Sequence, residues 1–356
     1  MPIIITDEDV RQHLSMRECI DAMRVAFRDL AEDKAVSLPR LRYKIQAGVP
    51  DRSYFANVHV GAVPSLGVAC VRAGSHMLVN SSSERGRRSK VNPEPFNWTV
   101  IILYDINTAE PLAFLHESQL SGMRVGATSG VAVAAVARDD AAVLGLLGTG
   151  RQARAHLEAI SLVRPIRRVQ VFSPNPEHLA DFVERTRELA RPDLEIVPVV
   201  DARTAIDGAD IVCSNTNSLR PVVLGEWLVP GQMVITIGNT DAAGLKTEVD
   251  EAVFARASDV VVNHWASVIA DNQVELLDAI EDGRVAREHV HELGDIVAGR
   301  ATVRSRPDNI VYYKSNTGLA MQFAAAGAIL YRKVKAAGSA HEIPREWLGS
   351  ERYQIG

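Results

Sequence analysis

Residues 142–160 read AVLGLLGTGRQARAHLEAI. The apolar run from Val143 to Leu147 breaks at Gly148-Thr149-Gly150, and Ala153, Leu157 and Ile160 follow at helical spacing. The stretch therefore predicts a strand, a tight turn and a helix. Gly148 permits the sharp turn, Gly150 lets the backbone approach a pyrophosphate, and Ala153 in place of a third glycine still allows close helix packing. The helix start adds free N–H groups and the positive end of its dipole, so a dinucleotide is expected here.

A bare GxGxxA also arises by chance in a chain rich in Gly and Ala, so its context decides. Arg168–Phe172, Glu195–Val200, Asp210–Ser214, Met233–Gly238 and Asp259–Asn263 are short β-branched runs separated by helical or turn segments. That alternation predicts a central Rossmann-type, doubly wound parallel sheet. Ligands of such sheets lie at the carboxyl ends of the strands. The candidate cofactor contacts are accordingly Gly148, Thr149, Gly150, Arg151, Gln152 and Ala153 in the first turn, Ser173 and Asn175 after the second strand, Thr216, and Asn316 after the Asn309–Lys314 strand. An NAD-binding sheet carries a carboxylate about twenty residues past the glycines. Here Ser173-Pro174-Asn175 stands there. Without a carboxylate to repel a 2′-phosphate, and with Ser173, Asn175 and Arg151 as donors, NADP is favoured slightly over NAD.

At 356 residues, 47% of them hydrophobic, the chain can bury a sizeable core and is expected to form two domains. A net charge of -5 gives no reason to expect a nucleic-acid partner. Cys19, Cys70 and Cys213 are far apart without CxxC spacing, which indicates neither a disulfide framework nor a zinc site and fits a reducing cytoplasm. Asp7, Glu8, Asp9 and Arg11 occupy the place where a secretion signal needs an apolar core. The most apolar stretch, Val125 to Leu147, is interrupted by Arg138, Asp139 and Asp140, so no membrane span is expected.

Thr6 to Glu32 predicts an amphipathic helical pair. A strand-rich region follows: Tyr54–Val60, Leu66–Val71, Trp98–Tyr104 and Leu112–His116, the last two flanking a hairpin turn at Asp105–Glu110. The polar stretch from Asn80 to Asn97 reads as a solvated loop or as a lid offering Arg85, Arg87, Arg88 or Lys90 to an anion. Ser121 to Ala137 predicts a helix with Arg124 in its first turn, a place unfavourable for a cation unless an anion binds there. Thr317 to Ala336 predicts a long helix whose small residues suit packing on the Ser121–Ala137 helix. Asp241, the carboxylate in the Gly238–Asp241 turn, suits catalysis or local turn bonding. His289, His291 and Glu292 do not share a helix face, and no metal is expected.

In the order in which they occur, Pro39-Arg40, SGMRVGATS around Arg124, LGLLGTGRQARAHLEAI, IGNTDAAGLKTE and YKSNTGLAMQFAAAGA make nearly the whole chain resemble the ornithine cyclodeaminase and mu-crystallin family. The resemblance implies a homodimer and a second α+β lobe for substrate and dimerisation, built from residues 1–120 with 312–356 around a Rossmann domain of residues 121–311. It implies that Arg40 and Arg124 clamp a substrate α-carboxylate, a role suited to the guanidinium fork. It also implies that an aspartate matched by Asp241 holds the amine and assists proton transfer. Two departures retune the pocket and make ornithine doubtful. Ala69 stands where the family usually has a lysine, with Arg72 the nearest cation at an offset that puts it on the other strand face unless a bulge intervenes, and Phe323 stands where relatives often carry Asp. The activity implied is NAD(P)-dependent oxidoreduction at the Cα–N bond of a small amino acid or its imine. The alternatives are a true cyclodeaminase that releases ammonia without net redox change and a non-catalytic cofactor- or ligand-binding protein.

Overall fold

A computed structural model describes residues 1–80, 88–90, 98–189, 193–238, 247–315 and 318–350. The chain begins with β1 (Ile3–Ile5) and two helices, α1 (Asp7–His13) and α2 (Met16–Ala31), each opened by a capping box: Thr6 with Asp9, and Ser15 with Glu18. These reciprocal bonds satisfy orphan N–H groups at both starts. The strands β2 (Val36–Ser37), β3 (Leu41–Gln46), β4 (Arg52–Val63), β5 (Val68–Asn80), β6 (Arg88–Lys90), β7 (Trp98–Asp105) and β8 (Pro111–His116) then build a sheet with β1. Its order is β1-β8-β7-β5-β4-β2, with β3 on β4 and β6 on β5, antiparallel throughout except for β1 beside β8. The strand expected at Leu66–Val71 starts later and runs further, because Pro64–Leu66 makes one helical turn closed by Gly67 at φ 76°. The hairpin turn after β7 is held by the Asp105 carboxylate, which accepts from the N–H groups of Asn107 and Thr108.

Helix α3 (Ser118–Val136) leads into the second sheet: β9 (Val143–Leu147), α4 (Arg151–Val163), β10 (Arg168–Phe172), α5 (Pro176–Leu189), β11 (Glu195–Pro198), α6 (Ala202–Ile206), β12 (Ile211–Ser214), β13 (Met233–Thr236), α7 (Glu251–Arg256), β14 (Asp259–Val262), α8 (Trp265–Ala270), α9 (Val274–Glu281), β15 (Val290–Glu292), α10 (Leu293–Val297) and β16 (Val311–Lys314). All eight of these strands are parallel, in the order β11-β10-β9-β12-β13-β16-β14-β15. The order reverses at β9, the switch point at which doubly wound sheets bind their ligands. Helix α11 (Ala320–Ala337) and β17 (His341–Glu342) return the chain to the first sheet, where β17 pairs with β1.

Three further features differ from the sequence reading. Helix α3 starts at Ser118, three residues earlier than expected, so Arg124 lies in its second turn and not its first. Helix α11 packs chiefly on α2, β4 and β5, with α3 a lesser neighbour. Strand β16 lies between β13 and β14, so the expected domain limit between residues 311 and 312 falls inside a strand of the parallel sheet. One continuous hydrophobic core joins α2, α3, α4 and α11 to the inner faces of both sheets. Among the described residues no helix is long and apolar enough to cross a membrane.

Candidate active site

At the end of β9, Gly148 adopts φ +95°, and a Cβ there would lie 2.6 Å from the Asn215 carbonyl oxygen. Glycine is required on both counts. Gly150 is the N-cap of α4, no side chain caps that helix, and a Cβ on Gly150 would meet nothing within 4 Å. Uncapped N–H groups, a positive helix end and room for close approach fit a pyrophosphate. Ala153 is fully buried behind the turn. Two buried acceptors close by, Gln152 Oε1 and Asn215 Oδ1, find no protein donor and suit ribose or amide donors of a dinucleotide. Thr149 is the middle residue of the turn. Arg151 turns away from it: its Nη1 donates to the Ser118 carbonyl oxygen at 2.9 Å and so ties the start of α4 to α3.

Ser173 and Asn175 follow β10, next to β9, as expected. Asn175 Oδ1 is committed to capping α5, accepting from the N–H groups of Glu177 and His178 at 2.9 and 3.1 Å. Thr216, after β12, is held by Glu248, a residue that the sequence did not single out. Glu248 Oε1 accepts from Ser214 Oγ (2.7 Å), Thr216 N (2.9 Å) and Thr216 Oγ1 (2.8 Å), while Oε2 accepts from Ile237 N (3.0 Å) and Gly238 N. One carboxylate thus ties together the ends of β12 and β13, although burial raises its pKa. His156 plays a similar part between helices. Its Nδ1 lies 2.7 Å from the Gln152 carbonyl oxygen and its Nε2 lies 3.0 Å from Ser129 Oγ, and burial pushes its pKa down to about 4. Asp241 and Asn316 lie outside the described residues, as do Arg85 and Arg87; Arg88 and Lys90 are described only as backbone of β6.

The first sheet presents the other half of the site. Along β5 the residues alternate, and Cys70, Arg72, Gly74 and His76 are buried on the face that meets α11. No bulge interrupts the pairing of β5 with β4 or β7, so Ala69 faces the other way and Arg72 enters the site from its own position, not as a replacement at Ala69. Arg72 donates to Asn57 Oδ1 and, from Nη2, to Glu117 Oε2 at 2.7 Å. Burial alone would raise the Glu117 pKa, but the charge and hydrogen bond of Arg72 overcome it and hold the carboxyl below its ordinary range. Arg124 Nη1 donates to Gln322 Oε1 at 2.9 Å, and Gln322 Nε2 donates to Thr128 Oγ1 at 2.7 Å. Burial brings the Arg124 pKa down to about 10, which leaves it charged at neutral pH. A Cβ on Gly318 would come within 3.0 Å of the Arg124 guanidinium, so Arg124 sits just past the carboxyl end of β16. Arg40 bonds both oxygens of Asp271 through Nε and Nη2, and Arg42 reaches the same carboxylate at 3.3 Å. Asp271 caps α8, so this contact bridges the two halves.

Phe323 lies among these cations, with the Cζ atoms of Arg124 and Arg72 at 4.7 and 5.7 Å from its ring centroid and His59 edge-on at 6.1 Å. His59 is buried, and burial together with Arg72, Arg40, Arg124 and Arg42 drives its pKa well below the ordinary value. The three arginines singled out from the sequence thus all bear on the buried His59. Among the described residues no cluster of His, Cys, Asp and Glu has the arrangement of a metal site. His291 and Glu292 belong to β15, with His291 Nε2 3.1 Å from Asp259 Oδ1 and Glu292 accepting from Trp265 N.

The family model described as "Ornithine cyclodeaminase/mu-crystallin family" matches residues 1–338. The chain belongs to this family. An uncharacterized cyclodeaminase of Sinorhizobium fredii is 29% identical over 344 residues, 95% of this chain and 98% of the relative. A Delta(1)-pyrroline-2-carboxylate reductase of Bacillus cereus is 27% identical over 346 residues, 96% and 99% of the two chains. The solved structure of the Thermococcus litoralis Delta(1)-pyrroline-2-carboxylate reductase, in complex with NADH and L-proline, superposes with a TM-score of 0.80 at 27% identity and covers 96% of this chain and all of that one. The parallel sheet and its glycine turn therefore belong to a fold that holds a nicotinamide dinucleotide in that reductase. In this chain Arg72 faces inward and Phe323 lies between two guanidinium groups.

Proposed function

We propose that this protein is a nicotinamide-dependent oxidoreductase acting at the Cα–N bond of a small amino acid or on the corresponding open or cyclic imine. The observation that carries this reading is the convergence of the half-buried Arg40 and Arg124 at the carboxyl ends of the parallel strands, beside the open turn at Gly150. The α-carboxylate of the substrate lies between Arg40 and Arg124, where two forked donors fix its plane. Arg40 gives up part of its bond to Asp271 to take it. Asp241 holds the amine and accepts its proton as the Cα–H bond breaks; in the reverse direction it returns the proton to nitrogen. The cofactor, when bound at Gly148, Thr149 and Gly150 with Gln152 and Asn215 as further partners, supplies the acceptor or donor for hydride. Glu248 keeps the ends of β12 and β13 in place.

NADP remains favoured over NAD through Ser173 and the missing carboxylate after β10, with Arg151 contributing less because it bonds Ser118. The protein acts as a homodimer, with the lobe built from both chain ends meeting its copy, and its three buried, free cysteines suit a reducing cytoplasm.

Incubating the protein with NAD or NADP and an amino-acid panel, and with NADH or NADPH and cyclic imines, while following absorbance of the reduced nicotinamide and ammonia, tests the reading. Oxidation of the reduced cofactor by an imine is the expected result. Ammonia released from a diamino acid without a net absorbance change would identify a cyclodeaminase instead, and silence across the panel would leave a binding protein.

A further inference from the structure

We infer that Asp271 is a positioning residue of the substrate site: its carboxylate tethers Arg40 across the two halves of the molecule and so sets the affinity for the substrate carboxylate. The inference rests on the role proposed for Arg40 and adds what holds that arm of the clamp.

The first ground is the cost of the placement. Asp271 closes α8, with its N–H on the carbonyl oxygens of Ser267 and Ile269. The carbonyl end of a helix is an unfavourable place for a carboxylate. Its side chain is also only 3% exposed, so little water offsets the charge. Compensation comes from the other lobe, through Nε of Arg40 at 3.3 Å, Nη2 of Arg40, and Nη2 of Arg42 at 3.3 Å. The acid is misplaced for its own helix and well placed for Arg40.

The second ground is the geometry of the bond. An arginine has five N–H donors in a planar fork. Asp271 takes the side-on pair, Nε and Nη2, and among the described residues none accepts from Nη1. The tether therefore fixes the plane of the guanidinium and leaves its outer edge for a ligand. When the substrate carboxylate draws on Nη2, the Nε bond remains as a pivot. Nothing in its own sheet holds Arg40 in this way. It precedes β3, which pairs with β4 alone and carries the exposed Leu41, Tyr43 and Ile45. Arg124, the other arm, is held by Gln322 Oε1. Asp271 is to Arg40 what Gln322 is to Arg124, and its charge also eases the repulsion between Arg40 and Arg42, which share it. A carboxylate beside an anion site repels the anion as well. The tether outweighs that repulsion because a loose arginine must first lose the freedom of its long side chain before it binds.

The experiment is calorimetric titration of the full chain, saturated with NAD, with pyrrole-2-carboxylate, a flat acid that neither gives nor takes hydride. Steady-state kinetics with the best substrate of the panel accompany it. Asp271→Asn, nearly isosteric and uncharged, should raise the dissociation constant and KM at least tenfold and leave kcat within threefold. Asp271→Glu, which restores the charge, should return both to within threefold of wild type. In an Arg40→Gln chain, which lacks the tethered arm, the same Asp271→Asn change should move the dissociation constant less than threefold. Unchanged binding in Asp271→Asn would overturn the tether, and tighter binding would mark Asp271 as a competitor of the substrate instead. A tenfold loss that persists in the Arg40→Gln chain would also overturn it, since Asp271 would then act through general packing. If Asp271→Asn does not fold, Arg40→Lys decides, because it keeps the charge and loses the side-on pair: at least tenfold weaker binding is expected, and wild-type affinity would overturn the inference. Normal turnover with an unchanged KM in Asp271→Asn would sink this inference and leave the proposed oxidoreductase standing. Failure to turn over any imine with either cofactor would sink the oxidoreductase, while the titration would still read the tether. A wild-type chain that binds no carboxylate would overturn the tether together with the clamp that it serves.

Discussion

Arg124 is held in a place where its charge is expensive. Burial lowers its pKa to about 10, its Nε has no partner, and one neutral amide, Gln322, accepts from Nη1. Such a group is prepared for an anion, and Arg124→Ala should lower kcat/KM by at least ~2 kcal/mol, roughly thirtyfold, the scale of a lost buried charge-assisted contact. Unchanged steady-state kinetics would remove Arg124 from the site. His156 makes the opposite case, a histidine kept neutral as a brace between α3 and α4. Its folded pKa of about 4 lies below the ordinary value of 6.5, so between those values the unfolded chain binds the proton that the folded one refuses. Stability should therefore fall as pH drops from about 6.5 towards 4, by up to ~3 kcal/mol from this residue, and His59 adds in the same direction. Urea unfolding at pH 7.5, 6 and 5 should show a shallower loss in His156→Gln than in the wild type. Parallel pH dependence in the two proteins would mean that His156 takes up its proton in the folded state.

At the scale of elements, the turn between β9 and α4 separates folding from binding within three residues. Gly148→Ala would force a side chain into the left-handed region at φ +95° with its Cβ 2.6 Å from a carbonyl oxygen, and it should cost at least ~1 kcal/mol of stability. Gly150→Ala meets no neighbour and keeps an ordinary extended φ of −82°. A slightly poorer N-cap is offset by lower unfolded-state entropy, so its stability should stay within ~0.5 kcal/mol of wild type. Its nicotinamide dissociation constant should nevertheless rise at least tenfold, as read by fluorescence titration, because the new methyl group occupies the approach to the pyrophosphate. Equal cofactor affinity in that variant would move the phosphates away from the turn. The parallel sheet was legible because each strand is a short local run of β-branched residues, and Arg168–Phe172 and Val143–Leu147 match to the residue. The strand at Val290–Glu292 was missed because polar side chains at a sheet edge carry no apolar period, and they drew attention as metal-ligand types instead. Glu248 was missed for a different reason. Its five donors come from two strand ends distant in sequence, and no local spacing announces such a convergence.

For the whole molecule, the first sheet uses its two faces differently. The inner face carries Phe55, Asn57, His59, Cys70 and Arg72 towards α11 and the crevice, while Leu41, Tyr43, Ile45, Val60, Trp98 and Val100 stand exposed on the outer one. Their register places them together: Leu41 pairs with Val58, Tyr43 with Ala56, Ile45 with Tyr54, Val60 with Val71, Trp98 with Ser75 and Val100 with Ala73. The odd spacing from Ala69 to Arg72 told from sequence that these two residues face opposite ways, but which face looks into the site depends on where α11 returns, a contact hundreds of residues away. An exposed apolar sheet of this kind is not expected on an isolated soluble chain, and a second copy would cover it symmetrically. Sedimentation velocity at about 10 µM should therefore give twice the chain mass. The variant Leu41→Glu/Tyr43→Glu buries unpaired charges in that contact and should sediment as a monomer with unchanged circular dichroism, since both side chains lie outside the core. A wild-type chain that sediments as a monomer, or a doubly charged variant that still dimerises, would place the two-fold contact elsewhere. Because Arg40 leads directly into β3, loss of the dimer should also loosen the bond from Arg40 to Asp271 and raise the KM for substrate, with a smaller effect on kcat.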